Sequence, residues 1–118
     1  MKKLVQTCVL ALCATNALAA TKFTAPTLNG RKIDAAFIDL YGEPTWGGYS
    51  SEIVAHKFCR VKGFSGSVDW VFSNHKGSTY NVYMLHQVTD ELEGGDIIED
   101  SKFKTSRGGR VFDSITCD

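Results

Sequence analysis

The chain has 118 residues and carries 13 basic and 13 acidic side chains, so its formal net charge at pH 7 is zero. This length suffices for one small domain. A balanced charge gives no overall attraction to nucleic acid or to an anionic membrane. We therefore favour a protein or glycan over nucleic acid as the partner, and any charge-driven contact must depend on a local patch.

Residues 1–19 contain the three parts of a secretory signal peptide. Lys2 and Lys3 carry positive charge, residues 4–12 form a short apolar run, and residues 17–19 read Ala-Leu-Ala, a pattern that signal peptidase cleaves. The apolar run is shorter than the roughly 20 residues that span a bilayer. The sequence thus predicts a signal peptide at 1–19, one secreted domain at 20–118 and no membrane span. The location is extracellular, or periplasmic if the source is bacterial.

Residues 33–49 contain an ambiguous segment followed by a candidate contact loop. Apolar side chains recur at helical spacing between positions 33 and 41, which favours a helix, although the same stretch also fits a strand. One proline and two glycines then mark residues 43–49 as a loop that carries Trp46 and Tyr49. Aromatic side chains in such a loop either fold back over the core or stay exposed, where they anchor a protein interface or stack on a glycan.

Residues 51–62 give the clearest helical pattern in the chain. A serine at position 50 or 51 is a suitable N-cap, apolar residues form a stripe along one face, and Gly63 is a suitable terminating residue. Two of the four cysteines belong to the predicted signal peptide, which leaves Cys59 in this helix and Cys117. An oxidising compartment predicts a disulfide between them.

Beyond the helix the pattern changes to the period of two that is typical of strands. Residues 68–72 and 80–84 alternate in this way, and residues 74–77 between them carry a hairpin-turn signal. Residues 110–116 are predicted to form a final strand. This order predicts a small α+β domain in which one or two helices pack on an antiparallel sheet, with one disulfide.

Charged residues cluster in two adjacent segments. Residues 90–100 contain six acidic side chains, which form either a solvated loop or ligands for calcium. Residues 102–110 follow with four basic side chains, Lys102, Lys104, Arg107 and Arg110. These either pair with the acidic run in a salt-linked hairpin or form a contact patch for a protein or for a phosphate group.

The histidines at positions 56, 75 and 86 lack the close spacing of a metal site, and we predict no cofactor. His86, with Glu43 or Glu52 and with Arg107 or Arg110, is a candidate acid–base site for phosphodiester cleavage. A helix followed by a sheet, with a disulfide near the C-terminus, is similar to compact fungal ribonuclease-like domains. This resemblance implies a small secreted ribonuclease-like hydrolase as one alternative function.

The hypothesis we favour is a non-catalytic interaction protein, an effector or inhibitor that acts on an extracellular, host or competitor protein. Export, small size, a single disulfide and the lack of a recognisable catalytic motif in the sequence all favour it. Glycan binding is a further alternative. The predicted contact residues are Trp46, Tyr49, Lys102, Lys104, Arg107 and Arg110.

Overall fold

The computed structural model describes residues 19–74 and 79–118. The predicted signal peptide lies almost entirely outside these residues, and so does His75. The described elements follow in the order β1 (Thr21–Thr24), β2 (Thr27–Leu28), β3 (Arg31–Ile38), β4 (Pro44–Thr45), α1 (Gly48–Val61), β5 (Ser67–Phe72), β6 (Tyr80–His86), a 3-10 turn (Glu91–Glu93), β7 (Lys102–Gly108) and β8 (Phe112–Cys117). They form a small, compact single domain, mostly sheet with one helix, which is broadly compatible with α+β.

The strands form two sheets. In the first, β8 lies between β1 and β5 and is antiparallel to both. In the second, the order is β2-β3-β6-β7, with β4 also paired to β3. The prediction of an antiparallel sheet needs correction here, because β3 and β6 run parallel. The predicted hairpin between residues 68–72 and 80–84 is also wrong, since β5 and β6 belong to different sheets.

The segment predicted as a helix around residues 33–41 is instead mainly the strand β3. Every residue from 33 to 38 is buried, and a strand that is covered on both faces shows continuous rather than alternating burial. Asn29 and Gly30, with φ angles of 51° and 77°, form the two-residue turn that connects β2 to β3. Positive φ at both positions is the type I′ geometry that joins twisted antiparallel strands.

Helix α1 begins and ends at identifiable backbone features. Neither Ser50 nor Ser51 is the N-cap, which is Gly47, so that part of the prediction is wrong. The buried hydroxyl of Ser51 instead donates to the Ala35 carbonyl at 2.9 Å and thereby ties the helix to β3. At the other end, the N–H of residue 63 donates to the carbonyl of residue 60, and the N–H of residue 64 to that of residue 59. These two bonds form a Schellman motif, as expected for Gly63 at that position.

The core lies between α1 and the two sheets. The apolar face of the helix packs on β3, β5 and β8, and the largest buried side chains include Phe58, Ile33 and Leu85. The predicted disulfide is confirmed: it joins Cys59 in α1 to Cys117 in β8, with the two Cα atoms 5.5 Å apart. None of the helices among the described residues combines the length and the apolar character that a bilayer crossing requires.

Candidate functional site

A tight hairpin connects β3 to β4 and projects apolar side chains from the end of the second sheet. Its strands pair at Phe37 with Thr45 and at Ile38 with Pro44. The Asp39 carboxylate organises the connection, because its Oδ1 accepts hydrogen bonds from the N–H groups of residues 41 and 43 at 2.8 and 3.0 Å. The side chain of Asp39 thus stabilises the turn of the hairpin.

This hairpin and the first turn of α1 carry an exposed group of large side chains. The exposed fractions are 91% for Tyr41, 65% for Tyr49, and 44% each for Trp46 and Leu40. We name these four residues the aromatic surface. A hydrogen bond of 2.8 Å between the hydroxyls of residues 45 and 50 links β4 to the helix beneath it. Of the two predicted contact aromatics, Trp46 and Tyr49, neither is folded away over the core.

Arg110 packs against the aromatic surface. Its guanidinium carbon lies 3.5 Å from the centre of the Trp46 ring, a close cation–π arrangement. The sequence predicted both residues as contacts but did not predict that they stack. The Arg110 Nε atom is buried and has no hydrogen-bond partner among the described residues.

A buried carboxylate positions the backbone of Arg110. Asp34 in β3 is only 1% exposed, and its Oδ2 accepts a hydrogen bond from the Arg110 N–H at 3.0 Å. Its Oδ1 accepts one from the Ala36 N–H at 2.9 Å. Gly108 passes so close that a Cβ at that position would collide with Asp34 Oδ2. Sequence reasoning missed Asp34, although a lone acid inside an otherwise apolar strand is a usable signal.

Three comparisons, with protein-family models, with curated proteins and with solved structures, find no match to this chain. The geometry of the site therefore carries the functional argument.

The predicted basic residues of β7 lie at different distances from this surface. Strand pairing forms a row across the sheet, from Pro44 through Ile38 and His86 to Lys102. Three strand spacings place the Lys102 backbone about 14 Å from β4, and Lys104 follows two residues further along β7. Both lie toward the end of the sheet that carries the aromatic surface.

Arg107 lies at the other end of β7 and does not join this group. It pairs in register with Asn81, and its guanidinium donates to the Thr79 hydroxyl at 2.9 Å. Since Asn81 and His86 are five residues apart on one strand, about 17 Å separates their backbones. The structure therefore does not bring Arg107, one of the two arginines that the ribonuclease-like hypothesis offers, to His86.

The carboxylates of the acidic run, residues 90–100, accept hydrogen bonds from the backbone of the run itself and form a salt bridge to the helix. Among the described residues, the one salt bridge joins Glu99 to Arg60 of α1 at 2.8 Å, rather than to the basic residues of β7. The carboxylate of Asp96 accepts hydrogen bonds from the N–H groups of Glu99 and Ile98. These bonds, above all the one from Glu99, and nearby positive charges hold the pKa of Asp96 below its usual value. The described residues contain no group of three metal-ligating side chains.

The two described histidines have different surroundings. The Nδ1 atom of His56 accepts a hydrogen bond from the Ser67 N–H at 3.3 Å and lies 2.7 Å from its hydroxyl, so the ring links α1 to β5. His86 is half-buried in β6. Burial, followed by the positive charge of Lys104, lowers its pKa below 6.5. The neutral ring is therefore the dominant form at pH 7.

Proposed function

We propose that the mature chain is a secreted, non-catalytic protein that binds an extracellular or host protein, as an effector or an inhibitor. The observation that carries this proposal is the aromatic surface with Arg110 stacked on Trp46. Tryptophan, tyrosine and arginine are the residue types that dominate the binding energy of protein interfaces. Here one tryptophan, two tyrosines and one arginine occur on one hairpin, the adjoining helix turn and the segment before β8.

The backbone that carries the aromatic surface is held by hydrogen bonds before any partner arrives. Asp39 fixes the hairpin loop, the hydroxyls of Thr45 and Ser50 join β4 to the helix, and Asp34 holds the Arg110 backbone. Ordering a mobile side chain on binding costs roughly 0.5–1.5 kcal/mol. The stacked Trp46–Arg110 pair avoids part of that cost, and the held backbone avoids the cost of ordering the loop, which supports a role in recognition.

The chemistry of the surface defines the partner. Its centre is apolar, so the partner must offer a complementary apolar pocket for Trp46 or Tyr41. Arg110 adds a planar positive group beside that centre, and a carboxylate on the partner is the matching group. Lys102 and Lys104 lie toward the same end of the sheet, on β7, and give that end further positive charge. We therefore infer a protein partner with an apolar pocket and an acidic border.

The test is affinity capture from the natural surroundings with oxidised mature protein, followed by a dissociation constant for the purified captured protein. We expect Trp46→Ala and Tyr41→Ala each to weaken binding by thirtyfold or more, since loss of a hot spot costs about 2 kcal/mol or more. Leu92→Ala is the matched control, because Leu92 is 92% exposed but outside the aromatic surface. Equal affinity of all four proteins would refute the assignment.

The same capture separates the two alternative functions. If the retained material is a polysaccharide and its binding depends on Trp46, a glycan-binding function replaces the protein-binding one. If the retained material is RNA, and it is cleaved by the native chain but not by His86→Gln, the ribonuclease-like function replaces it.

A further inference from the structure

A polar cleft lies at the end of the second sheet opposite the aromatic surface. It has a volume of about 400 Å³ and is lined by Asn29, Gly30, Arg31, Lys32, Tyr80 and Asn81. The type I′ turn forms one wall and the first residues of β6 form the other. This volume falls within the range of roughly 300–1,000 Å³ that small-molecule sites occupy.

Positive side chains flank the cleft on both faces of the sheet, because Arg31 and Lys32 are consecutive in β3 and point to opposite sides. Lys32 places its Nζ atom 4.7 Å from the centre of the Tyr80 ring, and the Arg31 guanidinium lies 5.4 Å from the centre of the Tyr83 ring. Arg107 is next to the cleft on β7, opposite Asn81. Since the one salt bridge of the described residues joins Arg60 to Glu99, none of these three cations is in an ion pair with a described carboxylate.

We propose that this cleft binds an anionic saccharide, a short sugar that carries a sulfate or carboxylate group. Arginine and lysine recognise such oxyanions with charge-assisted hydrogen bonds. The amides of Asn29 and Asn81 supply both donors and acceptors, which suits sugar hydroxyls. A nucleotide fits less well, because its base would have to stack on a Tyr80 ring that Lys32 already contacts.

The cleft and the aromatic surface are separate sites. Arg31 begins β3 and Ile38 ends it, so about 23 Å of strand lies between the two ends. A saccharide in the cleft therefore leaves Trp46 free to contact a protein. The saccharide site itself does not depend on the proposed function. Where that function holds, the cleft would keep the secreted chain on an acidic cell-surface or matrix glycan while the other end engages its partner.

The first test is an NMR titration of the oxidised mature protein with a sulfated disaccharide, its unsulfated counterpart and inorganic sulfate. We expect saturable amide shifts at residues 29–32 and 81 with the sulfated disaccharide, and at least tenfold weaker binding of the other two probes. Equal binding of inorganic sulfate would overturn the assignment in favour of a simple anion site. Equal binding of the unsulfated sugar would overturn the requirement for negative charge.

Matched variants locate the site. Arg31→Gln/Lys32→Gln removes two positive charges from the cleft, and Lys102→Gln/Lys104→Gln removes two from the other end of the sheet. Since a hydrogen bond to a charged group contributes about tenfold or more in affinity, we expect the first variant to bind at least tenfold more weakly and the second to match the native protein. An equal loss in both would overturn the location.

A third variant tests the site even if Arg31→Gln/Lys32→Gln fails to fold. Asn81 is exposed, and Asn81→Asp keeps the size of the side chain while it places a negative charge in the cleft. We expect this variant to unfold at the temperature of the native chain and to bind the sulfated disaccharide at least tenfold more weakly. Native affinity in a correctly folded Asn81→Asp protein would overturn the proposal.

Discussion

Replacing Gly108 with alanine tests how the buried carboxylate of Asp34 positions Arg110. The new Cβ would collide with Asp34 Oδ2 and would lie 2.7 Å from the methyl carbon of Met84. The end of a methionine side chain can move at little cost. The Asp34 carboxylate cannot, because it is 1% exposed and is held by two backbone N–H groups. We therefore expect it to lose its bond to the Arg110 N–H.

The size of the effect follows from those contacts. A hydrogen bond to a charged group contributes about 1.5–3 kcal/mol, and overpacking a filled site costs about 1–3 kcal/mol. Gly108→Ala should then lower the free energy of unfolding by roughly 3–5 kcal/mol, a large part of the roughly 5–15 kcal/mol available to a small domain. In an Asp34→Ala background the same change should cost less than about 1.5 kcal/mol, because only the Met84 contact remains.

Urea unfolding, followed by tryptophan fluorescence, measures all four corners of this double-mutant cycle. The fluorescence of Trp46 should also change when Arg110 is displaced, because a cation then leaves the face of its ring. Trp70 packs on Phe72 and Phe112 and provides a signal from the other sheet. If the costs of Gly108→Ala and Asp34→Ala add within about 0.5 kcal/mol, Asp34 is not the obstacle and the reasoning fails.

Three further predictions concern the disulfide, the type I′ turn and the half-buried histidine. Cys59→Ala/Cys117→Ala opens a loop with a sequence separation of 58, and urea unfolding should show a loss of about 4 kcal/mol; a loss below about 1 kcal/mol would contradict the chain-entropy argument. Gly30→Ala meets no neighbouring atom but has a φ of +77°, so thermal unfolding should show a loss of about 1–2 kcal/mol and an unchanged melt would contradict it. The pKa of His86 is lowered by burial and by Lys104, so the unfolded chain takes up its proton first and stability should fall as the pH drops through 6.5. His86→Gln should reduce that pH dependence between pH 7 and 5, and an identical profile would exclude His86 as its source.

Elements with a local signal were predictable from the sequence. Helix α1 has an apolar stripe and a glycine terminator, and the alternation over residues 80–84 predicts the strand that forms β6. The sequence favours a helix where β3 lies. Its apolar residues at positions 33, 36 and 37 fit the helical period, and they fit a strand that is buried on both faces equally well. The Asn29-Gly30 pair is a strong hairpin signal, and it would have favoured strands on both sides of it.

Long-range pairing was beyond the reach of sequence patterns. Nothing in residues 67–72 shows that β5 pairs with β8 rather than with its neighbour β6. The contacts within the candidate site are also long-range and are not visible in the sequence. The sequence predicts Trp46 and Arg110 separately as contact residues. It does not show that Asp34, 76 positions from Arg110 along the chain, accepts a hydrogen bond from the backbone of that arginine.

The position of β8 has a consequence for how the protein is made. This strand is the centre of the first sheet, and its two neighbours, β1 and β5, precede it in the chain. During synthesis neither neighbour can complete its pairing until residues 112–117 have left the ribosome, and the disulfide waits for the same segment. The first sheet and the disulfide therefore form late, after all the strands of the second sheet have been synthesised.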